Sequence, residues 1–260
     1  MRYTPEVRVP FDLSLSLPTD LEAVVELTVA SDTDKREDLE ASDEIVQIFT
    51  MAVNAQMFSD GSTGTIAQAS LLDSDFDPRL RMWKYVFKMR SVPPTSLAVL
   101  VALLAQTRHA GDPVSRVTIR PQGEMAREVG VEQLIRELTN SPTPRPHLPF
   151  DVEWADSALE SRALMFTFEF GTALSRQVVE GLERALNVWD HLVFFGGFKF
   201  DFTWNEDFFP RVGRTAHLSP TLITHALDDF EAPPFALNCV FNWAAAIHTQ
   251  GYAVARITLE

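Results

Sequence analysis

The chain repeats itself, and the repeat limits what it can fold into. Val9-Pro10-Phe11-Asp12-Leu13 returns as Leu148-Pro149-Phe150-Asp151-Val152, and Pro93-Pro94 returns as Pro233-Pro234 at nearly the same displacement. Beyond each Pro-Pro pair, Leu97, Ala105, Gly111, Val114, Arg116 and Thr118 match Leu237, Ala245, Gly251, Val254, Arg256 and Thr258 without a gap. Solenoid modules have periods of about 20–50 residues and need at least three copies. Two long copies are instead two small domains, or two halves of one pseudo-symmetric domain.

The order of elements within a copy follows from periodicity. A short extended segment comes first, Phe11–Leu17 or Phe150–Trp154. An alternating strand follows, with Val25, Leu27 and Val29 in phase in one copy and Phe166, Phe168 and Phe170 in the other. Ile45, Ile48, Phe49, Ala52 and Val53 then recur at helical spacing, as do Leu182, Leu186, Trp189 and Val193. Ser175 is a suitable N-cap, and Gly196-Gly197 a suitable stop. Two strands come next: Thr63–Leu71 then Met82–Arg90, or Phe198–Trp204 then Thr221–Phe230. Proline at a first helical turn loses no hydrogen bond, so Pro94 and Pro234 each open a helix. The last strands are Val114–Arg120 and Val254–Glu260.

This order predicts an α+β fold with an internal duplication. Two ferredoxin-like units (β-α-β-β-α-β), each with an extra N-terminal strand, occupy residues 1–120 and 148–260. Residues 121–147 form the connection: a helix over Gly123–Thr139, then the stiff Pro-rich stretch 141–149 at its junction with the second unit. The helix after each Pro-Pro pair is apolar on all sides. One sheet covers only one side of such a helix, so the two units are expected to pack tightly as a pseudo-dimer.

Composition narrows the function classes. Cys239 is the only cysteine of 260 residues, which excludes an internal disulfide or a Cys-based zinc cluster. The net charge of −14 disfavours nucleic acid and anionic membranes as partners. No apolar run is long enough to span a bilayer, and MRYTPEVRVPF lacks the apolar core of a signal peptide. The expectation is a cytoplasmic protein without a cofactor, of open oligomeric state.

Motifs for chemistry are sparse. Asp73, Asp75 and Asp77 imitate the start of a calcium loop, but Pro78 and Lys84 stand where glycine and glutamate are required. No zinc spacing, nucleophile elbow or phosphate loop is present. Cys239 falls in an apolar helix, where a thiol behaves as a small hydrophobe. On the outward face of the second unit's sheet, Glu169, Lys199, Asp201, His225 and Arg256 form a weak constellation for acid–base work. In the first unit, Lys84, Lys88, Arg116 and Arg120 alternate away from the apolar positions. They are read as cross-strand or inter-unit charge pairs, or as an anion site.

Three functions compete on these grounds. An acidic chain without catalytic motifs suits a non-catalytic protein that sequesters or inhibits a basic protein partner, as immunity proteins do. The contact would be the stretch Ser31–Glu44, with Asp32, Asp34, Glu37, Asp38, Glu40, Asp43 and Glu44 as its carboxylates. The alternative is a small-molecule enzyme or ligand-binding protein with a pocket on the second unit's sheet face, lined by Glu169, Asp201 and His225. The third is RNA binding, supported only by the basic face of the first unit.

Overall fold

A computed structural model describes residues 6–8, 20–29, 40–59, 66–92, 94–106, 114–121, 128–129, 148–154, 163–198, 213–228, 230, 232 and 234–260. The first half comprises β1 (Glu6–Arg8), β2 (Asp20–Val29), α1 (Glu40–Asn54), β3 (Gln68–Asp77), β4 (Met82–Arg90), α2 (Pro94–Gln106), β5 (Val114–Pro121) and β6 (Glu128–Val129). The second comprises β7 (Asp151–Trp154), β8 (Leu164–Phe170), α3 (Arg176–Phe194), β9 (Arg214–Ser219), β10 (Leu222–Leu227), α4 (Pro234–Thr249) and β11 (Val254–Leu259). The fold is α+β, with two mixed sheets of order β3-β4-β2-β5-β1-β6 and β7-β11-β8-β10-β9. β1 runs parallel to β5, and β7 to β11, while the other pairings among the described residues are antiparallel.

Alternation puts one face of each sheet inside. Leu164, Phe166, Phe168 and Phe170 of β8 are buried, and Met165, Thr167 and Glu169 between them are half-exposed. On β4, Trp83, Tyr85, Phe87 and Met89 point inward, whereas Lys84, Lys88 and Arg90 are exposed. The aromatic rings meet helices edge-on: Phe49 of α1 against Phe87, Trp189 of α3 against Phe166, and Trp243 of α4 against Phe168. Each fully buried side chain of this size stabilises the fold by roughly 1.5–3 kcal/mol.

The two helical layers face one another, and the sheets lie outside them. Leu97 and the run Val99 to Leu104 are buried on all sides, as an all-apolar helix requires. A Cβ on Gly197, just past α3, would come within 3.0 Å of Val99 and Leu103 of α2. Asn242 of α4 donates a 3.1 Å hydrogen bond to the carbonyl of Met57, beyond α1. A single hydrophobic cluster runs through both helix layers and both inner sheet faces.

Local chemistry explains several element boundaries. Ser175 caps α3, its Oγ accepting from the Val178 amide at 3.4 Å. Gly196, at φ 71°, takes the left-handed conformation that ends the helix. Elsewhere the structure departs from the sequence pattern. The first strand is Glu6–Arg8, and the expected Phe11–Leu17 lies outside the described residues. β3 starts later than Thr63 and runs on to Asp77. The strand before β10 is Arg214–Ser219, because the turn at Pro220-Thr221 closes a tight hairpin there. Of the expected Phe198–Trp204 strand only Phe198 is described, in a turn and buried. Within the expected linker helix, Glu128–Val129 is a strand, paired antiparallel to β1. A short amphipathic helix is marginal alone, and the open edge of β1 offers ladder hydrogen bonds instead.

Candidate functional site

The acidic stretch is described only from Glu40. Asp32, Asp34, Glu37 and Asp38 lie outside the described residues, and Glu40 opens α1. Glu44 is exposed, but Asp43 is half-buried and turned toward the sheet. There it acts on Tyr85. Burial pushes the Tyr85 phenol far above its ordinary range, and the Asp43 carboxylate adds to the shift. Among the described residues the hydroxyl makes no hydrogen bond of ordinary geometry. Asp43 thus lies beside the Tyr85 phenol, and Glu44 is an exposed carboxylate of the stretch.

Register decides the meaning of the outward bases on the first sheet. Lys84 lies between Glu26 on β2 and Asp75 on β3, and Lys88 between Glu22 and Ser70. An incoming anion would meet carboxylates beside each lysine, which disfavours an anion site. Arg116 sits opposite Thr28, and Arg120 opposite Val24, on β5. The outward faces of the two sheets do not meet, because both helix layers separate them. Charge complementarity between these faces is thereby replaced by pairing within each sheet. On the second sheet, Arg256 lies 3.2 Å from Glu153 and 3.9 Å from Glu169. Arg214 lies 3.1 Å from Asp228.

The predicted constellation is divided by the sheet. Glu169 and Arg256 are on the outward face. His225 is on the inner face, in phase with Ile223 and Leu227, and is fully buried. Lys199 and Asp201 lie outside the described residues. A pocket lined jointly by Glu169 and His225 is therefore not formed.

His225 belongs to a different group. Its Nε2 lies 2.8 Å from Oδ1 of Asp190, a fully buried carboxylate on α3. Oδ2 of Asp190 accepts from the Gly213 amide at 2.7 Å. His225 Nδ1 lies 2.9 Å from the Thr215 hydroxyl on β9. Both carboxylate oxygens are acceptors, so Nε2 carries its proton toward Asp190 and Nδ1 is the nitrogen that meets Thr215. Gly213 permits this closeness, since a Cβ there would stand 2.6 Å from the His225 ring. Buried polar groups of this kind are tolerated when hydrogen-bonded, and the chain of bonds ties α3 to the β9–β10 hairpin. Its order, hydroxyl to imidazole to carboxylate, is also that of an activated nucleophile.

Sequence reasoning missed Asp190, Thr215 and Gly213. Asp190 did carry a signal, because it shares the apolar face of α3 with Leu186 and Val193. It also missed a pair of amide side chains at the end of α1. Asn54 donates to the Ala69 carbonyl at 2.9 Å and accepts from its amide at 3.0 Å. Gln56 does the same to Ala67, at 2.7 and 2.9 Å. These side chains serve as a short added strand along the outer edge of β3. Past Ala69 that edge is open among the described residues. Leu71 through Asp75 are all exposed, with Leu72 at 53% and a bulge between Leu71 and Asp73.

A groove of about 560 Å³ lies among the ends of α1 and α4 and the start of α3, with Asn54, Gln177, Arg184, Gln250 and Tyr252 on its walls. Its size suits a small ligand. Among the described residues Arg184 is the only charged side chain lining it, so they supply no acid–base pair there. Cys239 is buried, and burial pushes its thiol up, out of the reactive range. Among the described residues no three His, Cys, Asp or Glu side chains are grouped to hold a metal ion, and no helix is long and apolar enough to cross a membrane. No protein-family model matches the chain, and no curated protein matches it.

Proposed function

We propose that this chain is a non-catalytic, acidic, cytoplasmic binding protein that sequesters or inhibits a basic protein partner, in the manner of an immunity protein. The observation that carries the reading is an exposed edge strand, β3, that combines the carboxylates of Asp73 and Asp75 with the apolar side chains of Leu71 and Leu72 in a chain of net charge −14. Apolar anchors within a charged rim are the usual anatomy of a protein interface, and an excess of one charge steers an opposite partner. The test is affinity capture from the cells that make the protein, then titration with the purified captured protein across a salt series. The expected result is one basic protein whose binding weakens as salt rises. Binding indifferent to salt, or no captured protein at all, rejects the reading.

The architecture belongs to the same proposal. Residues 1–120 and 148–260 are two ferredoxin-like units from an internal duplication, each with an extra N-terminal strand, joined by 121–147 and packed as a pseudo-dimer through their helices. What supports this is the correspondence of strand orders. β3-β4-β2-β5-β1 reads, element for element, as β9-β10-β8-β11-β7, alongside the matched sequence positions.

A second reading, a small-molecule enzyme, is favoured by the hydrogen-bonded order Thr215–His225–Asp190. It requires that Thr215, which is half-exposed, react with an acyl or phosphonyl group. A fluorophosphonate probe followed by peptide mass spectrometry decides it: an adduct on Thr215 supports the enzyme, and an unlabelled chain leaves the network structural.

A further inference from the structure

We infer that the basic partner engages this chain by adding an extended segment to the open edge of β3, alongside Leu71 to Phe76. The inference rests on the binding reading above and specifies its surface and geometry.

The ladder sets which backbone groups are available. Asn54 and Gln56 bond outward-facing groups of Ala69 and Ala67. In an antiparallel pair these outward groups recur at every second residue. Leu71 is therefore the next outward residue. The bulge after it shifts the phase by one, so Ser74 and Phe76 follow, whereas Asp73 and Asp75 pair with Val86 and Lys84 of β4. The exposure of Leu71 through Asp75 means that none of the described residues covers this edge.

Charge selects the occupant. Asp73 and Asp75 alternate on the solvent face, two residues apart, with Leu71 and Leu72 exposed at the near end; Asp75 faces Lys84 across the ladder, whereas Asp73 faces Val86 and has no cation directly opposite on β4. Unprotected edges invite pairing with any strand, including a second copy's. Two copies of β3 would bring like charges side by side, which is destabilising. A strand with Lys or Arg at alternate positions and apolar residues between them meets both features. Backbone bonds would supply affinity, and the alternating side chains specificity. The edge of the second sheet is a poorer template: β9 has only 6 residues and carries Arg214 and His217.

The test uses the full chain and a short capped peptide alternating Lys and Val, with a Glu-Val peptide as control. Binding is read by fluorescence anisotropy, and the site by amide hydrogen exchange. The expected result is salt-sensitive binding of the Lys peptide alone, with slowed exchange at the Leu71, Ser74 and Phe76 amides. Ser74→Pro removes one outward N–H without touching the β4 ladder and is expected to weaken binding about tenfold or more with an unchanged melting curve. The pair Asp73→Lys with Asp75→Lys is expected to reverse the peptide preference, and it serves as the test if the proline variant fails to fold. Peptide binding that ignores these substitutions and leaves the three amides unprotected overturns the edge as the site, while binding to a basic partner elsewhere stands. Failure of both the peptide and every basic protein to bind overturns the binding reading itself. A concentration-dependent dimer abolished by Ser74→Pro assigns the edge to a second copy and overturns the basic-partner inference.

Discussion

The Gln56 side chain pairs with the backbone of Ala67 as a neighbouring strand would, donating to its carbonyl at 2.7 Å and accepting from its amide at 2.9 Å. Gln56 holds this pose from a left-handed backbone, φ 64°, just past α1. The residue is buried, so these bonds are not exposed to competing water.

Removing that amide leaves two backbone groups of Ala67 unsatisfied in the interior. Gln56→Ala is expected to cost about 1–3 kcal/mol, measured by urea unfolding. Asn54→Ala, at an exposed position with water within reach, is expected to cost less.

The Asp190–His225 pair predicts strong coupling. His225→Ala leaves a buried carboxylate with the Gly213 amide as its remaining described partner, and is expected to cost about 3–5 kcal/mol. Asp190→Ala is expected to cost a similar amount, and the double variant much less than the sum of the two. A double-mutant cycle in urea measures the difference, and additive losses would refute the pair.

Two glycines should respond in opposite directions to a methyl group. Gly181 lies inside α3, and a Cβ added there would meet nothing within 4 Å, so Gly181→Ala is expected to stabilise by about 0.5–1 kcal/mol. At Gly197 the new Cβ would crowd Val99, Leu103 and the Leu192 carbonyl at 3.0 Å. Gly197→Ala is expected to cost about 1–3 kcal/mol by forcing the helix layers apart. Thermal melts of the two variants give the signs directly.

Tyr85 predicts an alkaline limit to stability. Its folded-state phenol is held protonated by burial and by Asp43, so the unfolded chain loses that proton first. The contribution is complete below about pH 10, the ordinary tyrosine value, and is lost as pH rises beyond it. Tyr85→Phe removes the hydroxyl that sits beside the Asp43 carboxylate, so it is expected to flatten the fall in stability above about pH 10. Unfolding midpoints across that range test it.

Much of the local structure was legible in the sequence. Pro94 and Pro234 open helices because a missing N–H costs nothing in a first turn. The α3 cap and stop were readable in Ser175 and Gly196. The apolar positions of α2 allowed only burial on both sides. The phase of β10 was also sufficient to place His225 inside with Ile223 and Leu227, although its polarity pointed outward. Polarity misleads there because the Asp190 carboxylate, 35 residues away, offsets the cost of burying it.

What the sequence determined by itself was the period of the elements and much of their order within each half, since these depend on neighbours a few residues apart; the strand Glu128–Val129 inside the expected linker helix was not among them. The fold's layering was decided only in three dimensions. Helices apolar all round must be covered, but by which surface depends on how distant faces match in shape, as Gly197 does against Val99 and Leu103. The edge protection by Asn54 and Gln56, and the gap it leaves from Leu71 onward, likewise depend on where the end of α1 meets β3. No local pattern encodes that meeting, because it is set by the packing of one layer on another.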